Sequence, residues 1–162
     1  MDNAEAGEQI GVLVKGVKRT DIKRGMVLAK PKSIKPASVV RCQIYMLTKD
    51  EGNEHEKPLT HLLRPQFYSN TMNIITRLEL DQGGKAEVIM PGDTKTVDIL
   101  MRTPMPMIDG EQFSLRVSGV TVATGKILEV VDKPLTDVQI LHQKVMDGDN
   151  KAKRELVKMG LK

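Results

Sequence analysis

The residues best suited to catalysis in this sequence have the wrong spacing for the reactions that they suggest. A loop that cradles nucleotide phosphates needs Gly-x-x-x-x-Gly-Lys-Ser/Thr, but the stretch GGKA at 83–86 lacks both the leading glycine and the hydroxyl. The three histidines, His55, His61 and His142, lack the spacing of a metal-binding helix, and we interpret them as surface or hydrogen-bonding side chains. The pattern therefore predicts neither a nucleotide-hydrolysing site nor a metal site.

Cys42 is the only cysteine, and the alternation of apolar and polar residues around it places it on the apolar face of a strand. A thiol there is a packed side chain rather than a nucleophile. A single cysteine excludes an intramolecular disulfide and any multi-cysteine metal site, which fits a reducing compartment. The acidic residues at 50–56 lie in a loop with Gly and Asn, where they keep a connection solvated.

The best candidate binding residues are polar, cationic and aromatic. The segment HLLRPQFYSNTMNII holds half of the aromatic residues of the chain, Phe67 and Tyr68, side by side. Pro65 fixes the backbone, Arg64 can meet a phosphate or carboxylate, and Gln66 can hydrogen-bond a ribose or a backbone group. In a competing interpretation the two aromatic residues begin a strand, with one ring packed inside and the other half exposed.

A second candidate surface lies at the carboxyl end. Residues 151–162 hold five Lys or Arg against one Glu, which accounts for the whole formal net charge of +4. Two interpretations stay open: contact with an anionic partner such as nucleic acid, or a solvated helix face. The candidate RNA or partner contacts are Lys151, Lys153, Arg154 and Lys158.

Most of the chain alternates with period two and is punctuated by Gly and Pro, which is typical of strands. Runs 10–17 and 25–29 are predicted as short strands, and runs 38–48 and 71–80 as longer ones. Ser118-Gly119 indicates a hairpin turn. Strands at roughly 8 to 12 residue spacing with no helices between them favour an antiparallel barrel or sandwich.

The period changes after Val131. Thr136 can cap a helix that Gly148 ends, and a second helix follows at about 151–159. A lone helix of this length is unstable in water, so we expect its apolar stripe to dock on another part of the protein. The stripe consists of Val138, Leu141 and Val145.

Composition and termini narrow the class of protein. A hydrophobic fraction of 40% and a charged fraction of 28% are those of a globular domain. No run approaches the roughly 18 apolar residues of a membrane span, and MDNAEAGEQ is neither a signal nor a transit peptide. We therefore expect a cytosolic chain, or one whose targeting segment lies outside this sequence.

Five stretches of the sequence can be compared as a set with known families, in their order along the chain: AGEQIGVLVKGVKRTDIKRGMVLAKPKSIKP, YMLTKDEG, RPQFY, VIMPGD and TVATG. In order and spacing they resemble the carboxyl-terminal part of translation elongation factor Tu, over residues 6–128. The resemblance implies that residues 1–31 are a remnant of the second β-barrel domain, 32–130 an all-β, antiparallel Greek-key-type barrel like the third domain, and 131–162 a helical basic extension. In that family a GTPase domain that binds GTP and Mg precedes these parts, so no cofactor is expected in this chain.

Within the barrel we expect six side chains to point inward, namely Val40, Cys42, Ile44, Met46, Ile99 and Leu115. The resemblance also implies a function: binding of aminoacyl-tRNA and contact with the GTPase domain of the same protein during delivery to the ribosome, with elongation factor Ts as a further partner and no membrane. The chain itself is not expected to be an enzyme. The implied interface residues are His55, Arg64, Gln66, Tyr68 and Arg116.

Three positions depart from the usual family pattern. Glu54 replaces an arginine, which adds repulsion toward phosphate, while Ile75 and Val117 replace polar residues or glycine. These departures favour an alternative role as a GTPase-less structural or RNA-binding subunit of an organellar translation or ribonucleoprotein assembly. The carboxyl-terminal extension is more typical of organellar versions, so we predict a mitochondrial protein, with plastid or bacterial cytoplasm as alternatives.

Overall fold

The computed structural model describes residues 3–55, 57–61, 63–82, 85–131 and 134–159. Within these ranges the chain forms ten strands, two α-helices and a single 3-10 turn at Arg19–Asp21. The elements are β1 (Pro36–Met46), β2 (Leu59–Thr60), β3 (Gln66–Ser69), β4 (Met72–Glu79), β5 (Asp81–Gln82), β6 (Lys85–Ala86), β7 (Val88–Ile89), β8 (Thr94–Pro106), β9 (Gln112–Val117), β10 (Val120–Val131), α1 (Asp137–Met146) and α2 (Asn150–Lys158).

Six strands close into an antiparallel barrel in the order β1, β10, β9, β3, β4 and β8, and β8 pairs back onto β1. The connection from β8 to β9 skips two strands of the barrel, as in a Greek key. The short strands pair separately, β2 with β7 and β5 with β6. The predicted all-β antiparallel barrel is confirmed.

The barrel interior is lined by alternate residues of its strands. On β1, Val40, Cys42, Ile44 and Met46 are all completely buried, while Arg41 and Gln43 between them are exposed. Ile99 and Leu115 are completely buried in the same core. The inward direction predicted for these six side chains is confirmed.

The two phenylalanines meet inside the barrel. Phe67 on β3 and Phe113 on β9 stack with ring centroids 4.5 Å apart and an interplanar angle of 20°. Gly125 on β10 lies against this pair, since a Cβ placed there would stand 2.5 Å from Cζ of Phe113 and 2.5 Å from the carbonyl oxygen of Gln43. The missing side chain at Gly125 therefore makes the room that the Phe113 ring occupies.

The amino-terminal segment corrects the prediction of short strands there. Residues 10–17 and 25–29 form no strand, and their apolar side chains stay largely exposed, with Leu13 at 85% and Leu28 at 80%. The physical reason is that a strand needs a free edge to pair with, and the closed barrel offers none. Gly25 is the buried residue of this segment; with φ of +90° it fits close to Met72 and Met105.

The carboxyl-terminal tail forms the two predicted helices. Thr136 caps α1 by accepting a hydrogen bond from the Gln139 backbone N–H, and Asp149 caps α2. Leu141 on α1 packs against Ala152 and Leu156 on α2. No helix in the described part of the chain is long and apolar enough to cross a membrane.

The predicted apolar stripe of Val138, Leu141 and Val145 packs with α2, whereas other residues dock helix α1 on the outer wall of the barrel. Met146 packs against Val39 and Leu100, whose side chains lie outside the main core. The Gln143 side-chain amide donates a 2.8 Å hydrogen bond to the Met101 carbonyl oxygen, and Arg102 pairs with Asp147 at 2.7 Å. The tail is thus attached by both apolar and polar contacts.

Candidate nucleic-acid interface

One end of the barrel gathers the residues that the sequence singled out. Because the strands are antiparallel, β1 and β9 end there and β3 begins there, with Gln66 paired to Arg116 across β3 and β9. The loop that carries His55 leaves β1 at this end, where the Leu47 backbone N–H donates to the carbonyl oxygen of Val122 at the start of β10. The structure therefore places the predicted interface residues of the barrel at or near one end.

Gln66, Tyr68 and Arg116 form a contiguous unit on the outer wall. The Tyr68 hydroxyl donates to Oε1 of Gln66 at 3.0 Å, and the Arg116 guanidinium carbon lies 5.4 Å from the centre of the Tyr68 ring. Arg116 also donates through Nη2 to the carbonyl oxygen of Gly119 at 2.6 Å. Arg116 is therefore held in place by the hairpin turn and by the ring beneath it.

The adjacent aromatic pair divides between two environments. Phe67 is completely buried in the core, whereas Tyr68 is half-buried under Arg116 on the outside. Successive residues of a strand point to opposite faces, so this division follows directly from β3 being a strand. The competing interpretation from the sequence describes these two rings correctly.

Arg64 is presented to solvent from a rigid backbone. The next residue, Pro65, is buried, and its carbonyl oxygen accepts hydrogen bonds from the backbone N–H and the hydroxyl of Thr76, both at 2.9 Å. Burial lowers the pKa of Arg77; Glu79 opposes this effect, and the nearby positive charge of Arg64 reinforces it. Arg64 thus lies close enough to Arg77 for the two positive charges to interact.

The loop of His55 is ordered by its own polar side chains. Glu51 accepts hydrogen bonds from the Thr48 backbone N–H at 2.8 Å, the Tyr45 hydroxyl at 2.8 Å and the Thr48 hydroxyl at 2.9 Å. The Asn53 amide donates to the Leu47 carbonyl oxygen, and its own oxygen accepts from the His55 backbone N–H. These contacts hold the half-buried His55 in a defined position.

The hydrogen bonds to the Glu51 carboxylate predict that the stability of the protein depends on pH. The Thr48 backbone N–H, followed by the Tyr45 and Thr48 hydroxyls, lowers the pKa of Glu51 below its ordinary value. The stabilisation is therefore complete above the ordinary glutamate pKa of about 4.3 and is lost as the pH falls through the lowered folded-state pKa. We expect thermal unfolding to show Glu51→Gln less stable than the wild type near neutral pH, with the difference disappearing in acid. Glu54→Gln in the same loop is the control, and an equal effect of both variants would contradict the assignment.

A cleft of about 760 Å³ lies between the amino-terminal segment and strands β4 and β8, and Gln66 is among its lining residues. Lys23 and Arg24 stand at this cleft beside apolar side chains such as Met26 and Val27. Arg24 donates through Nε to the Thr71 carbonyl oxygen at 3.2 Å. The cleft thus combines cationic, polar and apolar groups next to the unit formed by Gln66, Tyr68 and Arg116.

Two of the three departures from the family pattern have a packing role. Ile75 packs against the apolar cluster of Val39, Leu100 and Met146 that α1 covers, and Val117 packs against the barrel core. Glu54 is exposed in its loop. The role of Ile75 was missed from the sequence, although one signal was present: Ile74 points inward, so its neighbour Ile75 had to be an outward apolar side chain in need of a cover.

The exposed cations of α2 form no hydrogen bond or ion pair with the barrel-end residues in the described part of the chain. Helix α1 docks on β1 and β8 and covers Ile75 of β4, the residue that pairs with Gln66 of β3. Lys151, Lys153, Arg154 and Lys158 are all exposed on α2. The structure therefore brings Gln66, Tyr68 and Arg116 into contact with one another, whereas the α2 cations face solvent.

Two side chains considered for nucleophilic or metal chemistry, Cys42 and His142, are buried. Among the described residues there is no group of three or more His, Cys, Asp or Glu side chains that could hold a metal ion. His142 belongs to α1 and is buried, with Nδ1 3.8 Å from Oε1 of Glu79. Burial, with a smaller effect of the Asp98 charge, raises the pKa of Cys42 to about 12, so its thiol stays protonated at neutral pH.

Comparison with known protein families gives a match over the barrel. The family model described as the elongation factor Tu C-terminal domain matches residues 33–131. The matched range is more than half of the chain and contains all the barrel strands. The helical tail and residues 1–32 lie outside the match.

Proposed function

The chain belongs to the family of elongation factor Tu C-terminal domains, and from this premise we propose that it binds aminoacyl-tRNA and contacts a GTPase domain during delivery to the ribosome. A role in translation elongation follows from the family itself. The finer assignment concerns the barrel end, and the observation that carries it is the unit of Gln66, Tyr68 and Arg116 beside the exposed Arg64.

The chemistry of this unit supports contact with RNA or with a polar protein surface. The Tyr68 hydroxyl donates to the Gln66 oxygen, which leaves the Gln66 amide group as a donor toward a ribose or a backbone carbonyl. Arg64 adds a guanidinium that can meet a phosphate or a carboxylate in a bidentate manner. In this proposal Arg116 is a positioning residue, since it holds the Tyr68 ring and the hairpin turn.

The test is the binding of aminoacyl-tRNA to the full chain, with an elongation factor Tu GTPase domain supplied separately. We expect Arg64→Gln to weaken binding about tenfold, because it removes a charge-assisted hydrogen bond. Lys126→Gln is the matched control, since it removes one positive charge from an exposed position on β10. Equal losses for the two variants would show that only net charge matters and would contradict a specific contact at Arg64.

The amino-terminal segment is proposed to belong to the preceding barrel domain. Its exposed apolar side chains, including Leu13 and Leu28, need a cover that the third-domain-like barrel does not provide. The rest of such a barrel would pair with residues 10–17 and bury them. GTP and Mg binding, and hydrolysis, are then assigned to the GTPase domain that acts with this chain, and elongation factor Ts is proposed as a further partner.

The helical tail favours a second candidate function. Four exposed cations on α2 support an RNA-binding or structural subunit of an organellar translation assembly, without a GTPase domain. Helix α1 and the apolar wall that it covers supply a firm anchor for such a contact. With this tail we propose a mitochondrial location, and plastid or bacterial cytoplasm remain the alternatives.

This second function is tested by neutralising the tail in the full chain. Replacing Lys151, Lys153, Arg154 and Lys158 together by Gln is expected to weaken RNA binding. The salt dependence should also fall, by about 0.7 to 0.9 in log-log slope for each phosphate that the tail no longer neutralises. Helix content by circular dichroism checks that the tail stays folded. An unchanged affinity and slope would show that the tail is only a solvated appendage.

A further inference from the structure

Helix α2 presents its four cations in two different directions. At 3.6 residues per turn, Lys151, Arg154 and Lys158 follow the spacing i, i+3, i+7 and lie in one row along the helix. Lys153 falls outside this row, on the flank beside the buried Leu156. The tail cations are therefore not equivalent.

The row lies opposite the face by which α2 is anchored. Ala152 and Leu156 are buried against Leu141 of α1, so the side of α2 that carries Arg154 points away from the rest of the protein. Helix α1 is itself fixed to the barrel through Met146 and the pair of Arg102 with Asp147. Because both helices are docked, the row is held in place before any ligand binds.

The acidic groups near the row leave its charges available. Asp147 pairs with Arg102, and Asp149 accepts hydrogen bonds from the first backbone N–H groups of α2. In the part of the chain that the structure describes, none of the four α2 cations forms an ion pair. Glu155 borders the row on the helix surface and is the carboxylate of α2 that a bound anion would meet.

From this arrangement we propose that Lys151, Arg154 and Lys158 form a ridge that binds successive phosphates along one strand of RNA, and that Lys153 takes no part. The proposal rests on the RNA-binding function proposed for the tail and specifies the residues and the ligand group. A row of about 10 Å, from the rise of 1.5 Å per residue, suits a linear array of negative charges. Contacts to phosphates carry no sequence information, so the ridge binds without base preference.

A membrane surface is a poorer fit to the same helix. An amphipathic helix binds a bilayer by burying its apolar face at the lipid boundary. In α2 that face consists of Ala152 and Leu156 and is already covered by α1. The observations therefore favour RNA over anionic lipid as the ligand of this ridge.

The test uses single Gln substitutions in the full chain, because Gln and Lys have similar helix propensity. RNA binding is measured by fluorescence anisotropy with an RNA duplex of arbitrary sequence, titrated with salt. We expect Lys151→Gln, Arg154→Gln and Lys158→Gln each to reduce the log-log salt slope by about 0.7 to 0.9. Lys153→Gln should leave the slope unchanged, and Glu155→Gln should tighten binding.

The outcomes separate this inference from the function on which it rests. If the fourfold Gln variant binds RNA as the wild type does, the proposed RNA-binding function of the tail fails. If the fourfold variant loses binding but Lys153→Gln weakens it as much as the other three substitutions, RNA binding stands and the ridge is overturned. Binding of the wild type to anionic vesicles in preference to RNA would also overturn it.

Discussion

Phe67→Ala is expected to lower the free energy of unfolding by about 3 to 5 kcal/mol, the usual range for removing a completely buried aromatic ring. The neighbouring substitution Tyr68→Ala is expected to cost only about 1 kcal/mol, because that ring is half-buried and contributes chiefly its contact with Arg116. Removing the Phe67 ring also deprives Phe113 of its stacked partner, at 4.5 Å between ring centroids. Alanine substitutions at two adjacent aromatic residues should thus differ several-fold in their effect on the free energy of unfolding.

Urea-induced unfolding of the wild type and of the two variants provides the measurement, and Tyr68→Ala is the matched control for loss of a ring. The binding of aminoacyl-tRNA should show the reverse order among molecules that remain folded, since Tyr68 belongs to the proposed interface. Similar stability losses for the two variants would contradict the division of this aromatic pair between the core and the surface.

Gly125→Ala is the second substitution with a large expected effect, about 3 kcal/mol of destabilisation or more. The added methyl carbon would lie 2.5 Å from the Gln43 carbonyl oxygen and 2.5 Å from Cζ of Phe113. The oxygen belongs to the neighbouring strand β1 and cannot move without disturbing the pairing of β1 with β10. The destabilisation therefore arises from steric overlap and not from backbone strain, since the backbone of Gly125 does not have the positive φ that would exclude alanine.

A double substitution separates the two overlaps that destabilise Gly125→Ala, one with the Phe113 ring and one with the Gln43 oxygen. Adding Phe113→Leu to Gly125→Ala should recover only part of the stability, because the overlap with the Gln43 oxygen remains. Gly11→Ala is the control, since a Cβ at Gly11 would have nothing within 4 Å and should change stability by less than about 0.5 kcal/mol. A thermal unfolding midpoint for Gly125→Ala close to that of the wild type would refute the packing described here.

Local sequence patterns were sufficient for much of the fold. The alternation around Cys42 correctly predicted which side chains of β1 face the interior, because strand geometry sends successive residues to opposite faces. The hairpin at Ser118 and Gly119 follows from the positive φ of both residues, 51° and 88°. Thr136 marked the start of α1 for a similarly local reason, since its hydroxyl can accept a hydrogen bond from a free backbone N–H.

The same patterns gave wrong predictions where a segment needed a neighbouring strand or helix to pair or pack with. Residues 10–17 alternate like a strand, yet no barrel edge is free to pair with them. Alternation indicates which side of a strand is apolar, but it does not indicate whether another strand or domain lies beside it. For the same reason Ile75 was counted among the departures from the family pattern that favour an alternative role, whereas it packs in the cluster that α1 covers.

The sequence by itself determined the main strands of the barrel, the Ser118-Gly119 turn, the start of α1 and the inward-facing residues, because each depends on neighbours within a few positions along the chain. The choice of a barrel over a sandwich, and the candidate residues at the barrel end, came from the resemblance of several motifs to a known family. Only the tertiary structure decided how those residues are arranged. Strand register brings Gln66 next to Arg116, which is 50 positions further along the chain, and the packing of Met146 sets the docked tail against β1, β4 and β8. Such placement depends on pairing between distant segments, and local periodicity carries no information about which segments will meet.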